Sequence, residues 1–347
     1  MRFTFPILTL CHGGAQRMLA EITNRLIASG HEVDIVMPKQ GVIQYEINSN
    51  IIQTTRTQLF EADFPISDII ISNFYTTVPI AEQASMNGKG IHIRLSLCYE
   101  PTFLSDHEVS FPSYHMVPHL LVLSRWQQQM ILSNHGICGS IVPIGVHDFF
   151  RNLQIRQEGV HAVNISAILR MPEGGFAWHR EQDYLIEQLI QVKTQHPSLR
   201  INLICPPNEY YQSPILQKLK ETGHFVIFTP ADDLELRYHY NHTDIFVSSG
   251  TYDAGSLPGL EAMRCGAALV TLYAGGNAEY AVNEVNCLMS YRYENKLATD
   301  IIRLLESPVL RMNLARRGEQ DSYRFTWEKS YIAFESAVVD IVSRKSL

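Results

Sequence analysis

The chain has 347 residues, of which 46% are hydrophobic and 18% are charged, and its formal net charge at pH 7 is −7. This composition excludes a disordered chain, and the length favours two domains or one large one. The acidic balance argues against a broad nucleic-acid surface but leaves room for a small local anion site. No apolar run is long enough to predict a membrane-spanning helix.

The N-terminal segment predicts a strand and its turn, not a secretory signal. Residues 1–11 are apolar, but they lack the usual small-residue cleavage site and run directly into the pair Gly13–Gly14. We therefore expect a cytoplasmic protein. The six cysteines are scattered without a C-x-x-C pair, which favours buried free thiols over disulfides or a zinc site.

Short apolar runs alternate with amphipathic helical stretches, which predicts β-α-β units and parallel sheets. A first helix from Ala15 ends at Gly30, and a later one begins at Arg125, with Ser124 as its N-cap and Gly136 past its end. Strands in this half are predicted at residues 3–10, 31–36, 68–71, 92–97, 120–123 and 140–144.

The alternation is interrupted at residues 145–160, where we place a domain boundary. Helices beyond it are predicted from Pro214, Leu234 and Leu257. The strands beyond it are predicted at residues 162–169, 200–205, 225–228, 244–247 and 268–272. The sequence thus predicts an α/β protein with two doubly wound parts, residues 1–150 and 151–324, followed by an amphipathic last helix within 325–347.

The stretch 248–280 carries the strongest functional signal. It joins a strand end to a loop with Gly250 and Gly255, a helix that begins at Leu257, another strand and the pair Gly275–Gly276. Backbone amides at such a helix start converge with the positive end of the helix dipole, so a diphosphate is expected there.

Two acidic residues, Asp253 and Glu261, belong to the same stretch and are separated by seven residues. Carboxylates near a phosphate pocket are poor phosphate ligands but good acceptors for sugar and ribose hydroxyls. Taken alone, Asp253 could be a helix cap and Glu261 an acid favoured by the helix dipole. Together with the glycines, they favour a binding site.

This arrangement resembles the donor-binding signature of the family-4, retaining, GT-B glycosyltransferases, in which two acidic residues separated by seven flank a glycine-containing loop. The family usually has Glu at the first position, so Asp253 shortens that arm by one methylene. Five other segments are similar in the same order, namely the turn at Gly13–Gly14 and residues 28–36, 141–150, 235–250 and 274–280. The tripeptide Tyr99 to Pro101 resembles the bacterial rhamnosyltransferase-like branch of the family.

The resemblance implies a GT-B fold, with two Rossmann-like domains facing across a cleft and the last helix returning to the N-terminal domain. It implies retaining transfer of a hexosyl or deoxyhexosyl group from a nucleotide-diphosphate sugar to a glycan, polysaccharide or lipid-linked acceptor. No metal or other cofactor is expected. The implied setting is polysaccharide biosynthesis, in the cytoplasm or at the inner membrane face. An inactive homologue that binds a sugar nucleotide or a partner protein, and a GT-B nucleotide-sugar epimerase, stay open as alternatives.

The resemblance also assigns two catalytic residues. Asp253 would contact the donor sugar, and Arg170 would neutralise the diphosphate. Family members carry a Lys shortly after this Arg, but here a lengthened loop at residues 171–181 follows and offers Arg180 or His179 instead. A planar guanidinium fork suits a pyrophosphate whose charge rises as it leaves.

The other implied roles concern donor and acceptor binding. Glu261 would hold the ribose, and Glu100 would accept hydrogen bonds from a sugar on the acceptor side. The remaining donor-binding residues are Gly13 and Gly14 at the cleft and the amides of Gly255, Ser256 and Leu257 at the diphosphate. No metal site is expected, since His107, His115 and His119 fit no recognised ligand spacing and no Asp-x-Asp pair occurs.

Overall fold

The computed structural model describes residues 1–102, 104, 107–156, 162–174 and 177–345. The chain forms two compact units, one made of Met1–Gly145 with Trp327–Leu347 and the other of Val146–Thr326. Both units are α/β, as predicted. Among the described residues, no helix combines the length and the apolar character needed to cross a membrane.

The N-terminal unit is built on a seven-stranded parallel sheet in the order β3-β2-β1-β4-β5-β6-β7. The strands are β1 Arg2–Pro6, β2 Glu32–Met37, β3 Asn50–Gln53, β4 Ile69–Ser72, β5 Ile91–Ser96, β6 Leu120–Val122 and β7 Ser140–Ile141. The helices that precede the second unit are α1 Gly14–Ala28, α2 Val78–Met86, α3 His107–Ser110 and α4 Arg125–His135. Central strands such as β4 are buried throughout, because helices cover both faces of the sheet.

Two features of this sheet differ from the sequence prediction. The edge strand β3 was missed because it is short and only half-buried, so it lacks a continuous apolar run. The predicted strand 140–144 pairs with β6 only at Ser140 and Ile141. Both differences lie at the edges of the sheet, where burial imposes the weakest pattern on the sequence.

The second unit contains a six-stranded parallel sheet in the order β10-β9-β8-β11-β12-β13. The strands are β8 Asn164–Ile168, β9 Arg200–Ile204, β10 Val226–Phe228, β11 Ile245–Ser248, β12 Ala268–Leu272 and β13 Cys287–Ser290. The helices are α5 Gln182–Gln195, α6 Pro207–Gln212, α7 Pro214–Glu221, α8 Asp233–Asn241, α9 Leu257–Arg264, α10 Leu297–Glu306 and α11 Pro308–Ser322. All six cysteines are free, and Cys205, Cys265 and Cys287 are buried.

The last helix, α12 (Trp327–Lys345), packs on the N-terminal unit, as predicted. Phe334 is fully buried, and its ring centroid lies 6.5 Å from that of Phe3 on β1. At the rim of this contact, Glu328 forms an ion pair with Arg25 of α1. The buried aromatic contact supplies most of the stabilisation, since exposed ion pairs contribute little.

Replacing Phe334 by Ala should lower the free energy of unfolding of the N-terminal unit by about 3–5 kcal/mol, because it leaves a cavity against β1. The matched control is Ile332→Ala on the same helix, since the Ile332 side chain is 55% exposed. It should change the free energy by less than about 0.5 kcal/mol. Urea denaturation measures both variants, and equal losses would contradict this packing.

Candidate functional site

The candidate site lies at the carboxyl ends of β8 and β11. The strand order reverses here, because β8 leads to β9 on one side and β11 leads to β12 on the other. Loops that leave neighbouring strands in opposite directions open a crevice, and open parallel sheets bind ligands there. A pocket at this position is lined by Arg180 after β8 and by Ser248, Gly250, Asp253 and Ser256 at and after β11. The structure thus brings together Arg180 and Asp253, which are 73 residues apart in the sequence.

Asp253 organises the loop between β11 and α9. Its Oδ1 accepts hydrogen bonds from the amides of Gly255 at 3.0 Å and Ser256 at 2.8 Å. Its main chain pairs with the loop after β12, since its amide donates to the carbonyl of Ala274 and its carbonyl accepts from the amide of Gly276, both at 2.8 Å. Asp253 therefore fixes the turn that leads into α9.

The predicted diphosphate contacts of Gly255 and Ser256 need correction. Both amides were expected to face an anion, but in this structure the Asp253 carboxylate already accepts from them. Leu257 is the first residue of α9 and is buried. An incoming phosphate would have to displace the carboxylate or approach α9 beside it.

Close packing requires a glycine at position 276, in the loop after β12. A Cβ on Gly276 would lie 1.9 Å from the carbonyl oxygen of Ala254, so no side chain fits there. Nearby, the Tyr280 hydroxyl donates to the carbonyl of Ser256 at 2.7 Å. This bond supports Ser256 in a left-handed conformation with φ of 54°, which is strained for a residue with a side chain.

The lengthened loop after β8 is tied to the loop after β11. The Ser249 hydroxyl donates to the carbonyl of Arg180 at 2.6 Å, and the amide and hydroxyl of Thr251 donate to the carbonyl of His179 at 2.7 and 3.1 Å. Part of the predicted loop, residues 175–176, lies outside the described residues. These bonds hold the Arg180 main chain beside the pocket.

Arg180 carries the positive charge that lines the pocket. Burial is the largest influence on its pKa and, together with the neighbouring charge of Arg170, lowers it, while Asp253 and Glu209 act in the opposite direction. Guanidinium remains protonated in proteins even so. The site therefore holds a partly desolvated cation within electrostatic reach of a second arginine and two carboxylates.

Arg170, two residues beyond the end of β8, is already engaged in this structure. Its Nε lies 2.8 and 2.9 Å from the two carboxylate oxygens of Glu209, and its Nη2 also donates to Oε1. Glu209 lies on α6, and its Oε2 accepts from the amide of Met171 at 2.8 Å. Arg170, which the sequence predicts to bind a diphosphate, thus binds the Glu209 carboxylate in this structure.

Glu261 lies on α9 and is 7% exposed. Its Oε2 accepts a hydrogen bond from the Tyr240 hydroxyl at 3.1 Å. Burial, followed by the charge of Glu261, raises the pKa of Tyr240 well above its usual value, so this hydroxyl stays a donor. The predicted ribose role of Glu261 stays a prediction.

The turn at Gly13–Gly14 precedes α1 in the N-terminal unit. The Gly13 amide donates to the Tyr45 hydroxyl at 2.9 Å, and this hydroxyl donates to the Gly13 carbonyl at 3.0 Å. The Arg17 guanidinium lies 4.4 Å from the centroid of the same ring. Tyr45 therefore closes the glycine turn, and the roles predicted for Gly13 and Gly14 in donor binding stay predictions.

The placement of Glu100 argues against its predicted acceptor role. Its carboxylate is fully buried and pairs with Nη2 of Arg94 at 2.9 and 3.0 Å. It also accepts from the Tyr114 hydroxyl at 2.7 Å and the Tyr75 amide at 3.1 Å. Because the Glu100 carboxylate is buried and accepts from these internal donors, it stabilises the core of the unit and presents no oxygen to a sugar.

Of the three histidines named in the sequence analysis, His115 lies beside His135 of α4. His115 Nε2 and His135 Nδ1 lie 3.1 Å apart, and the other nitrogen of His135 lies 3.0 Å from the Tyr99 hydroxyl. Burial, with a smaller contribution from His115, lowers the pKa of His135 to about 4. In the part of the chain that the structure describes, no three His, Cys, Asp or Glu side chains are placed to hold a metal ion.

Three groups at these sites were not found from the sequence, namely Glu209, Tyr45 and the pair Ser249 and Thr251. Glu209 lies 39 residues from Arg170, and Tyr45 lies 32 residues from Gly13. None of them belongs to a motif with regular spacing. Long-range contacts of this kind leave no local signal in a single sequence.

Comparison with known proteins identifies part of the chain. Residues 174–321 match the model of the family described as glycosyl transferases group 1. This segment contains Arg180, Asp253, Glu261 and the double-glycine loop. No curated protein sequence matches the chain. The predicted resemblance to glycosyltransferases is confirmed, whereas the rhamnosyltransferase-like branch stays a prediction.

Solved structures similar to this chain cover nearly all of it. Sucrose-phosphate synthase from Thermosynechococcus elongatus superposes with a TM-score of 0.80 at 15% identity, over 99% of this chain and 100% of that one. Anabaena HepE, in complex with UDP, gives 0.77 at 15% identity over 98% and 100%. WaaG, a glycosyltransferase involved in lipopolysaccharide biosynthesis, gives 0.73 at 14% identity over 98% and 99%. The chain therefore has the GT-B fold, and its residues 174–321 match the glycosyl transferases group 1 family.

Proposed function

We propose that this protein transfers a sugar from a nucleotide-diphosphate donor to a hydroxyl acceptor, and that the donor binds at the crevice between β8 and β11. One observation carries the proposal. The segment that matches the glycosyltransferase family contains most of the residues that line the pocket at the strand reversal, with Arg180 and Asp253 on opposite loops. The fold restricts where a ligand binds, and the side chains at that place supply the chemistry.

The diphosphate would lie near Arg180 and the start of α9. A partly desolvated guanidinium attracts a phosphate more strongly than an exposed one, and its fork matches two phosphate oxygens. The positive end of the α9 dipole adds to this attraction. As the bond between sugar and phosphate breaks, negative charge grows on the leaving diphosphate. Stabilising this charge with fixed cations would supply most of the catalysis.

Asp253 would act on the donor sugar from its position in the loop. Its Oδ1 is occupied by two backbone amides. A carboxylate has about four acceptor positions on its two oxygens, so capping the turn does not use all of them. The same hydrogen bonds fix the carboxylate in one orientation, which favours binding of a sugar hydroxyl at low entropic cost.

The finer proposals concern the reaction and its setting. We propose retention of configuration without a metal cofactor, with transfer of a hexosyl or deoxyhexosyl group. The acceptor would be a glycan, a polysaccharide or a lipid-linked sugar, reached in the cytoplasm or at the inner membrane face. The titles of the similar structures support the choice of donors to test, because HepE was solved with UDP and with UDP-glucose.

An inactive sugar-nucleotide-binding protein is the second candidate. The observation that favours it is the state of the site, in which Asp253 accepts from the amides before α9 and Glu209 accepts from Arg170. Each carboxylate accepts hydrogen bonds from donors, the amides before α9 and the Arg170 guanidinium, that an active transferase would direct at its sugar nucleotide. Turnover measurements separate the two candidates.

Incubation with a panel of UDP- and GDP-sugars should release nucleoside diphosphate, faster with a glycan acceptor than without one. Activity should persist in EDTA, and the product should have the anomeric configuration of the donor by nuclear magnetic resonance. Binding without turnover across the panel would favour the inactive homologue. Interconversion of free sugar nucleotides would favour the epimerase.

Asp253→Asn should lower kcat by about 100-fold while keeping the stability, because Asn still caps the turn but lacks the charge. Asp253→Ala should lose activity and also about 1 kcal/mol of stability through loss of the cap. The matched control is Asp183→Asn, at an exposed position in the first turn of α5. Full activity of Asp253→Asn would restrict Asp253 to capping.

Glu261→Gln should reduce the discrimination between UDP and 2′-deoxy-UDP, if UDP is the nucleotide that the panel selects, because a neutral amide oxygen is a weaker acceptor than a carboxylate. A hydrogen bond to a charged acceptor contributes about 1.5–3 kcal/mol, so the unaltered protein should favour the ribonucleotide at least about tenfold. Tyr240→Phe is the control, because it removes the donor to Glu261 and keeps the carboxylate. Calorimetry that gives an unchanged ratio for Glu261→Gln would remove the ribose role.

A further inference from the structure

Glu209 holds Arg170 through the edge of the guanidinium that would otherwise meet a phosphate. Both Nε and Nη2 donate to its carboxylate, which is the bidentate geometry that arginine also uses with phosphate. The two side chains are mostly buried, with 23% of Arg170 and 15% of Glu209 exposed. Burial alone would raise the pKa of Glu209, but the hydrogen bonds and charge of Arg170, the Met171 amide and Arg180 together lower it. Glu209 is therefore an anion at neutral pH.

Arg180 and the three charged groups that influence its pKa carry a net charge of zero. Arg170 and Arg180 contribute two positive charges, and Glu209 and Asp253 contribute two negative ones. The four groups act on one another, since Arg170, Asp253 and Glu209 all influence the pKa of Arg180. A diphosphate that enters this group meets two carboxylates as well as two guanidinium groups. The affinity for a diphosphate then depends on whether a carboxylate releases the arginine with which it is paired.

We propose that Glu209 occupies Arg170 in place of the donor diphosphate and is exchanged for it when the donor binds. This inference rests on the proposed function, because it assumes a diphosphate at this crevice. Glu209 thereby sets donor affinity through competition, in addition to orienting Arg170 when the site is empty. It keeps a buried cation paired until the donor arrives, and an unpaired one would be costly.

The local hydrogen bonds allow this exchange with little rearrangement. The main chain of Arg170 is held by Gln182, whose Oε1 accepts from its amide at 2.5 Å and whose Nε2 donates to its carbonyl at 2.9 Å. The side chain can therefore change partner while the backbone stays in place. Glu209 also retains the Met171 amide as a donor after Arg170 leaves.

The inference predicts a gain of affinity from removal of a carboxylate. Glu209→Gln should bind inorganic pyrophosphate and UDP about threefold to tenfold more tightly than the unaltered protein in calorimetry, since Arg170 no longer has an anionic competitor. Pyrophosphate tests the anion site without any assumption about the base. A loss of structural support alone would weaken binding, so a gain separates competition from support.

Three further variants control this measurement. Glu221→Gln makes the same change of net charge at an exposed position of α7 and should leave both affinities unchanged. Arg170→Gln combined with Glu209→Gln should lose the gain, because the two substitutions act through one ion pair. Glu209→Asp keeps the charge but shortens the arm and should give a smaller gain. It serves as the test if Glu209→Gln unfolds in a thermal melt.

Weaker or equal binding by Glu209→Gln, with an unchanged melting temperature, would overturn the exchange. If the unaltered protein still turns over a sugar nucleotide in that case, the proposed function stands and only the role of Glu209 falls. Failure of every form to bind either pyrophosphate or UDP would overturn both the exchange and the proposed function.

Discussion

The candidate site depends on one constraint of the second sheet, the parallel pairing of β8 with two strands that the chain reaches in opposite directions. Ala167 of β8 is in register with Leu203 of β9 and with Val247 of β11. Because the chain leaves β8 toward one edge and returns at β11 toward the other, the loops after these two strands separate at their carboxyl ends. Arg180 on one loop and Asp253 on the other line a common pocket only through this pairing.

The pairing of arginines with carboxylates is the second constraint on the structure. Each unit contains an arginine that pairs with a carboxylate away from bulk solvent, Arg94 with Glu100 and Arg170 with Glu209. The first pair is sealed in the core and supports the fold. The second pair is partly exposed, and we propose that its partners are exchanged when the donor binds. A buried pair of this kind supports the fold, whereas a partly exposed one can change partners.

Several parts of the fold and site could be predicted because their causes are local. Apolar periodicity predicted the parallel α/β units, and the glycines and helix start within residues 248–280 predicted the loop before α9. The reason for a glycine at position 276, its close approach to Ala254, is a tertiary contact. The departures have physical reasons. The edge strand β3 has no buried face to impose a pattern, and Glu100 was placed at an acceptor because a tripeptide says nothing of the Arg94 and Tyr114 groups that enclose it.

The sequence by itself determined the element types, the position of the glycine-containing loop between β11 and α9, and the pair Asp253 and Glu261. These depend on residues within a few turns of one another, so spacing and composition are sufficient. Only the tertiary structure decided which atoms these groups meet, namely the amides before α9 for Asp253, the Tyr240 hydroxyl for Glu261 and Glu209 for Arg170. A carboxylate binds whichever donor the fold brings within about 3 Å, and that neighbour is set by strand pairing across tens of residues.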